Sequence, residues 1–220
     1  MKTVDIIASD RQSGLAWPMY RALVGIGIIC ALLIVGVFLY TAPQIERNRA
    51  ELLDRAILRV LPGAAEVRRF ELEQPVYVAF DAAGELLGVA LQAHAMGYQD
   101  TVRILYGYDP QRQIIVGIQV LESRETPGLG DKIEHDEHFL QNFAALDVHL
   151  SADGQSLAHP IELVKPGQKT QAWQIDAISG ATISSAAVAG MLRKSAEYWV
   201  PQLYNMRVEF TPQAEADDGS

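Results

Sequence analysis

Residues 176–185 read DAISGATISS and join two stretches of different periodicity. The apolar stretch before them, residues 172–178, is typical of a β-strand. The stretch from Ile183 to about Tyr204 repeats apolar residues at helical spacing. The small residues 179–181 therefore mark a strand-to-helix turn, with one hydroxyl, that of Thr182, at the junction.

Small residues at positions 180 and 181 leave room for a large enzyme or ligand to approach the backbone at Thr182. A helix that begins near Ile183 would present free N–H groups and the positive end of its dipole, and both favour a phosphate there. The alternative is an ordinary helix start, in which the hydroxyl of Ser179 or Thr182 serves only as an N-cap.

A second motif, Glu125-Thr126-Pro127-Gly128-Leu129-Gly130, follows a strand candidate that ends near Ser123. Its two glycines allow the backbone to approach a planar ligand closely, and its proline stiffens the loop. Taken by itself, this motif could also be a tight surface loop without a ligand.

Together the two motifs resemble those of the FMN-binding domains of the Rnf electron-transport complex and of the sodium-pumping NADH:quinone reductase. The family pattern is Asp, two residues, Ser/Thr-Gly-Ala-Thr, two residues, Ser/Thr. The positions that match it are Asp176, Ser179, Gly180, Ala181, Thr182 and Ser185. Residues 125–130 match the second family signature, with Lys132 in its usual continuation. The resemblance covers about residues 76–200, and chain length favours the G subunit of Rnf over the C subunit of the reductase.

This resemblance implies FMN joined by a phosphoester to Thr182, delivered from FAD by a flavin transferase that recognises Asp176. It implies that the other motif residues bind the cofactor: Ser179, Gly180, Ala181, Ser185, Glu125, Thr126, Gly128, Leu129 and Gly130. In that family the complex links electron flow between ferredoxin and NAD to ion movement, so other membrane subunits and iron–sulfur subunits are the expected partners. Because the flavin supplies the redox chemistry, we expect no complete active site in this chain alone. A flavin-binding regulatory protein is the alternative from another functional class.

Residues 22–40 carry no charge and read ALVGIGIICALLIVGVFLY. As a helix at 1.5 Å per residue they span about 28 Å, close to the hydrocarbon thickness of a bilayer. We expect a retained transmembrane helix, rather than a cleaved signal peptide or a buried helix, because the run is long and apolar on all faces. The expected organisation is an N-terminal arm 1–19, a membrane helix 20–42, a connecting helix 43–65, an FMN-binding domain 66–205 and an acidic tail 206–220.

Basic residues do not decide the orientation of this helix. Lys2, Arg11 and Arg21 precede it, and four arginines follow within twenty residues. The family resemblance alone implies a cytoplasmic N-terminus and an FMN domain on the periplasmic side of the inner membrane.

The part beyond the membrane helix alternates short apolar runs with turn signals. Strand candidates lie at residues 66–73, 76–80, 86–94, 102–108, 114–121 and 172–178, and a short helix candidate lies at 135–143. This order predicts an α+β fold with a twisted, mainly antiparallel sheet and flanking helices. In the last helix we expect one apolar stripe to be core: Val188, Met191, Leu192, Ala196 and Trp199.

The domain beyond the membrane helix is acidic. Three of the 18 basic and two of the 27 acidic residues precede Ala22, which leaves 15 basic and 25 acidic residues and a net charge of −10. Such a domain is a poor partner for nucleic acid. Cys30 is the only cysteine, so we expect no internal disulfide and no iron–sulfur cluster ligated by this chain alone. His135 and His138 lie among acidic residues and read as a solvated helix start, so we expect no metal site.

Overall fold

The structure is a computed structural model that describes residues 7–210, with the side chains of residues 17–207 and of Phe210. Residues 1–6 of the expected arm and residues 211–220 of the expected acidic tail lie outside the described residues. The chain divides into two compact units, Met1–Glu51 and Leu52–Ser220.

One helix, α1 (Ile7–Val60), runs through most of the expected arm, the membrane segment and most of the connecting helix. Pro43 lies inside this helix, although a proline removes one backbone donor. Among the described residues, α1 contains the one segment long and apolar enough to cross a membrane, judged by length and composition, with a mean hydropathy of 3.0. None of its most apolar window is buried within the chain, so the alternative of a buried soluble helix finds no support.

The second unit is built on a six-stranded sheet whose strands lie side by side in chain order. The strands are β1 (Glu66–Glu71), β2 (Pro75–Phe80), β3 (Leu86–Met96), β4 (Thr101–Asp109), β5 (Ile114–Glu122) and β6 (Leu146–Asp147). Every neighbouring pair is antiparallel. Short turns join the first five strands, and turns of that length cannot connect parallel neighbours. The first five strands agree with the predicted ones to within two residues at most boundaries, and the predicted α+β fold is confirmed.

Shorter elements connect the sheet to the last helix. They are a 3₁₀ helix (Gly130–Glu134), α2 (Glu137–Gln141) and a parallel pair, β7 (Glu162–Val164) with β8 (Gln174–Asp176). The last helix, α3 (Thr182–Phe210), continues beyond its predicted end near Tyr204. Its predicted apolar stripe is buried at all five positions: Val188, Met191, Leu192, Ala196 and Trp199.

Helices cover both faces of the sheet. Because side chains alternate along a strand, Val76, Val78 and Phe80 of β2 join the core beneath α3. Tyr77 and Ala79 point to the opposite face. There the end of α1 packs on the sheet through Ala56, Ile57 and Val60, together with Leu61 directly after the helix.

Two glycines allow the end of α1 to approach the sheet closely. Gly107 of β4 and Gly117 of β5 are register partners. A Cβ added at Gly107 would lie 2.5 Å from the carbonyl oxygen of Val60. The nearest atom to a Cβ added at Gly117 is the Cα of Val60, at 3.6 Å, which is ordinary van der Waals contact.

We therefore expect Gly107→Ala to lower the free energy of unfolding by about 1–3 kcal/mol, the usual cost of overpacking a core. Gly117→Ala is the matched control on the neighbouring strand, and we expect it to stay within about 0.5 kcal/mol of wild type. Denaturant titration of the full chain in detergent measures both. Equal losses in the two variants would rule out the steric explanation.

Candidate functional site

The strand-to-helix turn presents Thr182 at the surface. β8 ends at Asp176, two buried residues follow, and α3 begins at Thr182. Gly180 adopts a φ of 82°, a left-handed conformation that favours glycine. The Thr182 side chain is exposed, and its hydroxyl has no hydrogen-bond partner in the part of the chain that the structure describes.

The first turn of α3 has unused backbone donors. Within residues 7–210, the N–H groups of Thr182, Ile183 and Ser184 meet no backbone acceptor, and the first turn of α3 holds no acidic residue. The hydroxyls of Ser179 and Thr182 accept no bond from these donors, so the N-cap alternative does not describe this helix start. Open N–H groups at the positive end of a 29-residue helix favour an anion.

Ser185 braces the turn from inside. Its side chain is fully buried, and its Oγ accepts a hydrogen bond from the N–H of Ile178 at 3.1 Å and donates one to the carbonyl of Ala181 at 2.9 Å. The N–H of Ala181 in turn donates to the carbonyl of Ile178 at 3.1 Å. Ser185 therefore holds the backbone on either side of the exposed residues 179–180.

Asp176 holds a neighbouring loop. Its Oδ1 accepts hydrogen bonds from the N–H groups of Gln168 at 2.9 Å and Lys169 at 3.0 Å. Its own N–H donates to Oδ1 of the buried Asn142 at 3.1 Å. Burial lowers the pKa of the Lys169 ammonium, and the Asp176 carboxylate offsets only part of that effect. Asp176 thus orders the backbone beside the turn.

Glu125, the first residue of the second motif, lies inside the protein with only 6% of its surface exposed. Its carboxylate accepts hydrogen bonds from three consecutive N–H groups: Tyr98 at 3.1 Å, Gln99 at 3.0 Å and Asp100 at 3.4 Å. It also accepts one from the Oγ of Ser184, in the first turn of α3. We call this set of contacts the Glu125 junction.

The Glu125 carboxylate is stabilised in its charged form. Burial raises the pKa of this group and is the largest single influence on it, but the hydrogen bonds from Ser184 and from the three N–H groups together outweigh burial. The net result is a pKa below the ordinary value for glutamate. The junction therefore carries a buried negative charge at neutral pH.

Two glycines make room for the Glu125 side chain. A Cβ added at Gly97 would lie 2.5 Å from Glu125 Oε1. A Cβ added at Gly130 would collide with Glu125 Oε2 and lie 2.8 Å from Ser184 Oγ. Gly130, predicted to let the backbone approach a ligand, is thus also needed for packing inside the protein.

The two sequence motifs meet at one pocket of about 300 Å³, which we call the Thr182 pocket. Its lining comes from three segments: Tyr98; Leu129 and Gly130; and Gly180, Ala181, Thr182, Ile183 and Ser184. Three apolar side chains on its rim are largely exposed, namely Tyr98 at 66%, Leu129 at 50% and Ile183 at 55%. Such a pocket offers apolar surface to a planar ring.

The remaining residues of the second motif shape its loop. Thr126 Oγ1 donates to the side chain of Gln99 at 2.8 Å, and the Thr126 carbonyl accepts from the N–H of Leu129 at 3.1 Å. Gly128 has a φ of 78° and open space around it. Neither Thr126 nor Gly128 lines the Thr182 pocket.

Lys132 lies on the 3₁₀ helix beside the turn, and its Nζ is 4.0 Å from where a Cβ would stand at Gly180. Among the described residues this ammonium has no hydrogen bond or ion pair. Lys132 also lines a larger groove of about 700 Å³ together with His135 and His138. The described residues include no cluster of potential metal ligands, and the expectation of no metal site remains a prediction.

These features fit the phosphate and the ring of FMN. The phosphate end would find an exposed hydroxyl, the open N–H groups of α3 and the Lys132 ammonium. The ring would find the apolar rim of the Thr182 pocket.

Sequence reasoning did not assign Ile183, Ser184 or Tyr98 to the site. Ile183 and Ser184 lie within the quoted motif, but the pattern does not say which of its side chains faces the pocket. Tyr98 follows Gly97 in a loop 84 residues before Thr182. Gly97-Tyr98 resembles a less specific family position, and that signal did not assign Tyr98 to the site.

A family model described as FMN-binding domain matches residues 97–197. The G subunit of the ion-translocating oxidoreductase complex of Methanosarcina acetivorans is 33% identical over 185 residues, covering 80% of this chain and 90% of that protein. The corresponding protein of Stutzerimonas stutzeri is 35% identical over 191 residues, covering 79% of this chain and 78% of that protein. The crystal structure of the C subunit of Na(+)-translocating NADH-quinone reductase from Parabacteroides distasonis aligns with a TM-score of 0.47 and 27% identity, covering 63% of each chain.

Proposed function

Because this chain belongs to the family of G subunits of ion-translocating oxidoreductase complexes, we propose that it is a membrane-anchored electron-transfer flavoprotein. It carries FMN joined through a phosphoester to Thr182. The observation that supports this assignment best is the exposed Thr182 hydroxyl, which stands without a partner among the described residues at the N-terminus of α3 and beside an apolar pocket.

The attachment is a phosphoryl transfer catalysed by a separate flavin transferase, with FAD as the donor. The Thr182 oxygen forms a bond to the phosphorus on the FMN side of FAD, the pyrophosphate bond breaks, and AMP leaves. The hydroxyl proton passes to a base of the transferase. In this chain the Gly180 turn keeps the acceptor oxygen accessible, and Asp176 orders the adjoining surface that the transferase recognises.

Bound FMN supplies reversible electron transfer. The open N–H groups of α3 and the Lys132 ammonium would offset the negative charge of the phosphodiester. Tyr98, Leu129 and Ile183 line the pocket and would pack against the ring and exclude water from it. Of the 125–130 loop, Leu129 and Gly130 line the pocket and would meet the ring, where a backbone N–H donor would favour the negative charge that gathers on reduction.

The chain works within a complex that couples electron flow between ferredoxin and NAD to ion movement. Its partners are the other membrane subunits and the iron–sulfur subunits, which deliver and accept electrons. The apolar part of α1 crosses the inner membrane once, with the N-terminus in the cytoplasm and the flavin domain in the periplasm.

The attachment is tested by intact mass. The full chain, produced with a flavin transferase, should gain the mass of one FMN less one water, and peptide mapping should locate that mass on Thr182. Protein produced without the transferase is the control and should show the unmodified mass. An adduct on any other residue, or none at all, would refute the assignment.

The topology is tested with reporters fused to the full chain. A reporter that is active only outside the cytoplasm should be active after Ser220. The same reporter joined to the N-terminus of the full chain, ahead of Met1, should be silent. The reverse pattern would place the flavin domain in the cytoplasm and contradict the proposed orientation.

A further inference from the structure

Each of the three segments that line the Thr182 pocket is connected to the buried carboxylate of Glu125. Tyr98 belongs to the turn whose N–H groups donate hydrogen bonds to Glu125. Ser184 lies in the first turn of α3, and its hydroxyl also donates a hydrogen bond to Glu125. Leu129 and Gly130 belong to the loop that begins with Glu125 itself. Glu125 does not line the pocket, although two of its hydrogen-bond partners, Tyr98 and Ser184, and two residues of its own loop do.

Only a carboxylate satisfies this arrangement. Three N–H groups and one hydroxyl converge on two oxygens that carry about four lone-pair sites and no hydrogen. A glutamine would replace one acceptor by an NH₂ group, which would face donors it cannot bond. Gly97 and Gly130 leave the room that the carboxylate fills, since a Cβ added at either glycine would collide with it.

We propose that Glu125 is a positioning residue for flavin attachment. It holds the first turn of α3 through Ser184 and so sets Thr182 and the pocket walls in the geometry that the transferase needs. This inference rests on the proposed attachment at Thr182. It assigns Glu125 an indirect role, in place of the direct cofactor contact that the sequence resemblance implies.

The decisive comparison uses two serines of α3, each of which loses one hydrogen bond on truncation. Ser184→Ala removes the bond to Glu125. Ser195 lies more than two helical turns further along α3 than Ser184. Ser195→Ala removes the hydrogen bond between Ser195 Oγ and the hydroxyl of buried Tyr106, two atoms that are 2.8 Å apart. If Ser184 served only to stabilise the fold, Ser184→Ala and Ser195→Ala would attach flavin at similar rates.

The measurement is the initial rate of FMN attachment to the full chain in detergent, with purified transferase and FAD. We expect Ser184→Ala and Glu125→Gln to be slower by at least about tenfold, since displacements near 1 Å can cost about a hundredfold in such reactions. Ser195→Ala should attach flavin at nearly the wild-type rate, and so should Glu85→Gln, which changes an exposed glutamate in the turn between β2 and β3. Equal slowing of Ser184→Ala and Ser195→Ala, or normal rates in Ser184→Ala, would overturn the proposal.

Amide hydrogen exchange on the unmodified protein supplies a readout that needs no flavin. The N–H groups of Tyr98, Gln99 and Asp100 should exchange faster in Glu125→Gln than in Glu85→Gln, because they lose their acceptor. Unchanged exchange at these three positions would overturn the proposal. If Glu125→Gln does not fold, Ser184→Ala still decides the attachment question. Absence of flavin from wild-type Thr182 would instead refute the proposed function, and the exchange data would still test the junction.

Discussion

A Thr182→Ala variant should fold normally and lose covalent flavin completely. The variant removes the proposed acceptor oxygen, whereas the side chain is exposed and its hydroxyl has no partner among the described residues. Alanine is also the best helix former, so we expect the free energy of unfolding to change by no more than about 0.5 kcal/mol. Flavin fluorescence after denaturing electrophoresis, together with a thermal melt, measures both outcomes.

The neighbouring hydroxyl of Ser179 provides the comparison for Thr182→Ala. Ser179→Ala keeps the proposed acceptor and should still gain the mass of the adduct. Flavin that survives denaturation in Thr182→Ala would show that another residue carries it. A variant that loses both flavin and its melting transition would point to a structural role for Thr182 instead.

A Gly130→Ala variant should damage both the fold and the site. The added methyl carbon would collide with Glu125 Oε2 and lie 2.8 Å from both Glu125 Cβ and Ser184 Oγ. We expect a loss of unfolding free energy near the upper end of the 1–3 kcal/mol typical of overpacking, about 3 kcal/mol, because the junction bond between Glu125 and Ser184 would be displaced as well. Flavin attachment should slow in parallel, since the same atoms hold the first turn of α3.

Gly190→Ala is the control for Gly130→Ala. Gly190 lies within α3, and a Cβ there would meet nothing within 4 Å. Alanine in a helix interior is better than glycine by about 0.5–1 kcal/mol, so this variant should be slightly more stable than wild type. Denaturant titration of the two variants gives opposite signs if packing around Glu125 is the cause. A loss of similar size in both would contradict that cause.

Local sequence patterns predicted most of the fold. Alternating apolar residues and turn signals predicted the first five strands, and the helical stripe on α3 predicted its buried face. These predictions succeeded because strand and helix periodicities are properties of neighbouring residues. The end of the last helix was less well predicted, since α3 continues to Phe210, beyond the expected end near Tyr204.

The two motifs resemble those of a flavin-binding family and so indicated a flavin protein. The small residues before Thr182 indicated why its hydroxyl is accessible. The sequence by itself therefore determined the family, the first five strands, the long apolar helix and the candidate acceptor. What each motif residue does was decided by the tertiary structure alone. Glu125 bonds to Tyr98 and to Ser184, which are 27 and 59 residues away. Burial and hydrogen-bond partners depend on segments that meet only after folding, so no local pattern could reveal that Glu125 and Gly130 pack against each other beneath the pocket.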